Sequence, residues 1–231
     1  MNHQRFLRLI IPTLIAATLV LSAAQRPSRP VGFANDIQRF LDQDKVSPPP
    51  DRAILFIGSS IFRQWADLKT QMAPMPVFNR AFGGSRTWEV LHYMDKIVLP
   101  YRPRIIVYYC GSNDVDAGAS ATEILDNFKA FVDKVAAQLP ETRIFYVSIN
   151  KAPEKKDLWN VVDQANSLIR DYTSHQRQLA FIDVNPVLFD KAGNPRFELY
   201  RDDLLHFYPP AYVEFTKIIR PVIEKAWAQV K

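Results

Sequence analysis

The chain has 231 residues, with 29 Lys and Arg against 24 Asp and Glu, 48% hydrophobic residues, four histidines and one cysteine. The basic residues are scattered among acidic ones, which argues against a nucleic-acid partner. A lone cysteine excludes an intramolecular disulfide, and no zinc-type ligand spacing is present, so neither a metal nor a cofactor is expected.

Residues 1–24 combine Arg5 and Arg8 with an apolar run over 9–21 and the small residues Ser22, Ala23 and Ala24, the layout of a cleavable secretory signal. The apolar run is short of the roughly 20 residues that cross a bilayer and contains Pro12. The sequence therefore predicts cleavage near Ala24, a secreted or periplasmic product, and no stable membrane insertion afterwards. The remaining 207 residues carry 27 basic and 24 acidic side chains and suit one domain.

Residues 25–50 read as a lead-in, flexible over 25–32, with a first helix over 35–42 ahead of Pro48-Pro49-Pro50. The main domain is expected over 51–231. Short apolar runs at 53–57, 77–78, 105–109, 144–149 and 179–184 are rich in Ile, Val, Phe and Tyr and lack polar alternation, as strands buried on both faces do. Helical patterns occupy 61–68, 87–98, 121–139, 158–176 and 210–230. In the third, Ile124, Leu125, Phe128, Phe131, Val132, Val135 and Ala136 mark one buried face. Alternating strands and helices predict an α/β fold with a parallel sheet covered on both sides, and ligands beyond the carboxyl ends of the strands. Cys110 sits in an apolar run and reads as a buried, inert thiol; Lys155 and Lys156 read as part of a solvated loop.

Four blocks follow strand ends. The first, Gly58-Ser59-Ser60, leads from a strand into a helix, where a hydroxyl is exposed; either serine could equally cap the helix. The second, Asn79 to Ser85, exposes backbone N–H groups through Gly83 and Gly84. The third is Gly111-Ser112-Asn113-Asp114. A side-chain amide and a backbone N–H aimed at one point can hold an oxyanion, although each block taken alone also fits ordinary turn chemistry. The last, Arg201-Asp202-Asp203-Leu204-Leu205-His206, offers a histidine base with a carboxylate to orient it.

In this order the four blocks resemble the SGNH family, also called GDSL hydrolases, and within it the platelet-activating-factor-acetylhydrolase-like branch. The resemblance implies a three-layer α/β/α sandwich with a flavodoxin-like five-stranded parallel sheet. It further implies a serine esterase working through an acyl-enzyme, with Ser60 as nucleophile and Asp203 and His206 completing the triad. Ser60, Gly84 and Asn113 would supply the oxyanion hole. Substrates on this reading are small-molecule, lipid or acylated-carbohydrate esters; the oligomeric state stays open.

Two departures from the family pattern stand out. Ser59 replaces the aspartate of Gly-Asp-Ser and is expected to hydrogen-bond locally in its place. Leu204 stands where a glycine is common, which leaves less backbone freedom. Asp202 is an alternative to Asp203, while His92 and His175 fall inside helical patterns and read as structural. Trp65, Trp88, Phe207 and Tyr208 could line a pocket or pack in the core. The rival functions are a catalytically impaired SGNH-fold protein that binds a ligand or carbohydrate, and a phosphate or flavin binder using the first glycine loop.

Overall fold

The computed structural model describes residues 31–230, so the expected export signal at 1–24 and most of the flexible lead-in lie outside the described residues. Five strands, β1 (Ile54–Gly58), β2 (Val77–Asn79), β3 (Ile105–Tyr109), β4 (Arg143–Val147) and β5 (Leu179–Ile182), form one all-parallel sheet in the order β2-β1-β3-β4-β5. Because successive side chains point to opposite faces, each strand feeds two cores. Leu55, Ile57, Ile106 and Tyr108 pack on one side; Ile54, Phe56, Val107 and Tyr109 pack on the other.

The first side is covered by α1 (Ala34–Val46), α4 (Thr87–Ile97), α6 (Ala121–Gln138) and α7 (Trp159–Ser174). The second is covered by α2 (Ser60–Arg63), α3 (Leu68–Gln71) and α8 (Pro209–Val230). The result is the expected three-layer α/β/α sandwich. Helix α6 begins where the Ser120 hydroxyl accepts the Glu123 N–H at 3.1 Å, and it buries Ile124, Phe128, Phe131 and Val135 against the sheet. Each such side chain contributes about 1.5–3 kcal/mol by burial.

Several expectations change. The helix expected over 61–68 is two single turns, α2 and α3, because the chain turns at Gln64 to drive Trp65 into a ring cluster with Phe56, Phe62 and Tyr212. The first helix is longer than 35–42 and runs Ala34–Val46. Strand β4 stops at Val147; beyond it the Ser148 hydroxyl accepts the Val184 N–H at 2.9 Å, and Asn150 Oδ1 accepts from the Tyr109 hydroxyl. A short helix, α5 (Ser112–Asp116), opens directly after β3 and had no apolar period to announce it. Lys155 is not solvated: its side chain is 5% exposed.

Candidate active site

All four blocks meet at the carboxyl edge of the sheet. Gly58 ends β1 with φ 136°, and a Cβ there would lie 1.7 Å from the Tyr109 carbonyl oxygen of the neighbouring strand, so only glycine allows the chain to leave the sheet at this point. The next turn is α2, and Ser60 is its first residue. The Gly58 carbonyl accepts the Phe82 N–H at 2.9 Å and the Ser85 hydroxyl at 3.1 Å, which ties the Gly83-Gly84 turn to the serine turn. Ser85 then uses its own carbonyl to accept the Asn113 Nδ2 donor at 2.9 Å. An amide carries two donors, so the second N–H of Asn113 is left for another acceptor. Neither Ser60 N–H nor Gly84 N–H has an acceptor among the described residues.

The last block reaches the same point from the other end of the chain. His206 Nε2 stands 3.0 Å from Ser60 Oγ, and His206 Nδ1 stands 2.6 Å from Asp203 Oδ2. The other Asp203 oxygen accepts the N–H groups of Leu205 at 3.0 Å and His206 at 2.9 Å. Burial raises the Asp203 carboxyl, but the ring and backbone hydrogen bonds outweigh it and hold the group down at about 2. In the tautomer that donates from Nδ1 to Asp203, Nε2 is the acceptor for the Ser60 hydroxyl. Asp202 does not touch His206; it accepts from the Tyr208 hydroxyl at 3.3 Å.

Ser59 departs from expectation. Its hydroxyl is buried and makes no hydrogen bond among the described residues, so it neither caps α2 nor replaces an aspartate's local bonding. The turn is held instead by backbone, through the Ser59 N–H to the Tyr109 carbonyl at 3.0 Å. Leu204 takes φ 54°, the left-handed conformation that a glycine would enter freely, so the loop carries strain at this position that a glycine would not. Trp65 and Phe207 are core residues rather than pocket walls, whereas Tyr208 is exposed. His92 and His175 are exposed and far along other elements, and Cys110 is fully buried with its thiol pushed up by that burial.

Supporting residues escaped the sequence reading. Lys155 donates to the Ser112 carbonyl at 3.3 Å and faces Asp116 at 3.3 Å, while the adjacent Glu154 N–H donates to the Leu204 carbonyl at 3.2 Å. One segment thus braces both the Asn113 helix and the His206 loop. Asp114, beside Asn113, accepts the Thr87 N–H at 3.0 Å and the Thr87 hydroxyl, and its burial pushes the carboxyl up to about 6 against those bonds. A pair of adjacent lysines and an Asn-Asp dipeptide give no sign of such burial in sequence.

Ser60, Gly84, Asn113 and His206 open on a cleft of about 340 Å³, also lined by Asp36, Arg63, Gln64, Gly83 and Leu205. Among the described residues no group of His, Cys, Asp and Glu is placed to hold a metal, and no helix is long and apolar enough to cross a membrane.

The model of the GDSL-like Lipase/Acylhydrolase family matches residues 56–212. No curated protein matches the chain. Among solved structures, a GDSL-like lipase from Bacteroides thetaiotaomicron aligns with TM-score 0.73 at 19% identity, over 84% of this chain and 100% of that one. A carbohydrate esterase family 3 protein from Talaromyces cellulolyticus aligns with TM-score 0.61 at 16% identity, over 77% and 99%. A lipase/acylhydrolase from Enterococcus faecalis gives 0.60 at 18% identity, over 75% and 96%. At these identities the likeness is one of fold.

Proposed function

The chain belongs to the GDSL-like lipase/acylhydrolase family, and from that premise we propose that it hydrolyses carboxylic esters with Ser60 as nucleophile, through an acyl-enzyme. The observation that carries this reading is the unbroken contact from Asp203 through His206 to Ser60, ending in the cleft beside Gly84 and Asn113.

His206 Nε2 takes the Ser60 proton as Oγ attacks the ester carbonyl carbon. Asp203, ionised at any pH well above about 2, holds the ring and stabilises the imidazolium that forms. The Ser60 and Gly84 N–H groups and the free Asn113 donor face the carbonyl oxygen as it becomes an oxyanion; a donor of this kind is worth about 3–4 kcal/mol in the transition state. His206 then passes its proton to the departing alcohol. Water, deprotonated by the same nitrogen, releases the acid and restores Ser60. A phosphate or flavin reading fits less well, since α2 is one turn long and its first hydroxyl is engaged by His206.

We place the enzyme outside the cytoplasm on the strength of residues 1–24, acting on a small-molecule, lipid or acylated-carbohydrate ester. The esterase-named neighbour from Talaromyces supports the carbohydrate option. The test is turnover of 4-nitrophenyl acetate by the purified chain together with labelling by a serine-directed organophosphonate. A covalent adduct on the wild type and none on Ser60→Ala is expected; an adduct on Ser59, or none at all, overturns the assignment.

A further inference from the structure

Arg63 lies one helical turn after Ser60 and lines the same cleft. Its guanidinium lies against Gly83: a Cβ on that glycine would stand 2.7 Å from Arg63 Nε and 3.2 Å from Cζ. The second glycine of the pair serves the backbone, with φ 84°; the first leaves the space that the arginine fills. Arg63 is exposed, and its side chain lies along the cleft wall over Gly83. Among the described residues it has no carboxylate or carbonyl partner, whereas Arg39, Arg80 and Arg170 are each paired with a carboxylate. The carboxylate that lines the cleft, Asp36, is bound by Arg39. The cleft thus presents a planar cation with no carboxylate or carbonyl bonded to it, one helical turn from the Ser60 hydroxyl.

We propose that Arg63 is a specificity-determining residue that binds an anionic group, carboxylate or phosphate, carried by the substrate within about one ring of the scissile ester. A guanidinium matches either anion with two parallel hydrogen bonds. The inference rests on the esterase reading of the same site and narrows its substrate class.

Two measurements separate the inference from its premise. In turnover, kcat/KM is compared for phenyl acetate, 3-acetoxybenzoate and 3-acetoxyphenyl phosphate. A preference of at least tenfold for an anionic ester is expected, the larger of the two preferences naming the anion, and Arg63→Gln should bring the anionic-to-neutral ratio close to one. In binding, the Ser60→Ala protein should hold the preferred anionic ester at least tenfold more tightly than phenyl acetate by calorimetry, and Ser60→Ala/Arg63→Gln should not. Equal handling of neutral and anionic esters in both measurements overturns the role of Arg63 while leaving the esterase intact. Arg63-dependent anion binding without turnover of any ester overturns the esterase and keeps the anion site.

Discussion

His206 Nε2 lies 3.0 Å from Ser60 Oγ although 146 positions of chain separate the two residues. Groups this close in a single proton path act as one unit. Ser60→Ala and His206→Ala should each remove nearly all turnover, and the double variant should be no more than about tenfold worse than either, because residues of one catalytic unit are strongly non-additive. Losses that multiply in the double variant would mean that the two side chains work separately.

Asn113 already gives one donor to the Ser85 carbonyl and keeps one for an oxyanion. Asn113→Ala should lower kcat by about 100-fold or more, with KM little changed, since the lost bond acts mainly in the transition state. It should also cost about 1 kcal/mol of stability through the Ser85 contact. Stability loss with an unchanged kcat would leave Asn113 as a structural tie only.

Burial pushes the Asp114 carboxyl up to about 6 in the folded protein, above the ordinary carboxylate range. A raised carboxyl binds its proton more tightly in the folded state, so its favourable contribution is complete below about pH 4 and is lost as pH rises through about 6. Unfolding by urea at steps of pH should show the wild type losing up to about 3 kcal/mol more than Asp114→Asn across that window. Parallel stability curves for the two proteins would remove the argument.

Leu204 holds a left-handed backbone at φ 54°, and the residue is 38% exposed. Little packing is lost on truncation, so Leu204→Gly should relieve strain and raise stability by about 0.5–1 kcal/mol, after the extra chain entropy of glycine is counted. The thermal midpoint would rise with kcat retained; a fall would show that the Leu204 side chain matters more than its backbone.

If residues 1–24 are an export signal, protein recovered from its native compartment should begin near Gln25, as terminal sequencing or intact mass would show. An intact Met1 on cytosolic protein would remove the proposed localisation.

The α/β architecture was legible in the apolar runs at 105–109 and 179–184 and in the helical period of Ile124 to Val135, because burial on one or both faces leaves a period that local chemistry can be read from. The glycines at 58 and 84, Asn113, and the Asp203 and His206 pair were likewise visible as blocks at strand ends. Contacts made across the fold leave no such period. That Asp203 rather than Asp202 meets His206 depends on a loop closed by the Leu205 and His206 N–H groups. The burial of Lys155 depends on α5, a helix too short to carry a pattern. The fate of Trp65 was settled by the ring cluster that α8 completes from the far end of the chain. Arg63 showed only a charge in sequence, and its packing over Gly83 is made only when the parallel sheet brings the Gly83-Gly84 turn against α2. Periodicity is a property of one segment and can be read from it, whereas the choice of partner belongs to two segments and is made only when the sheet assembles.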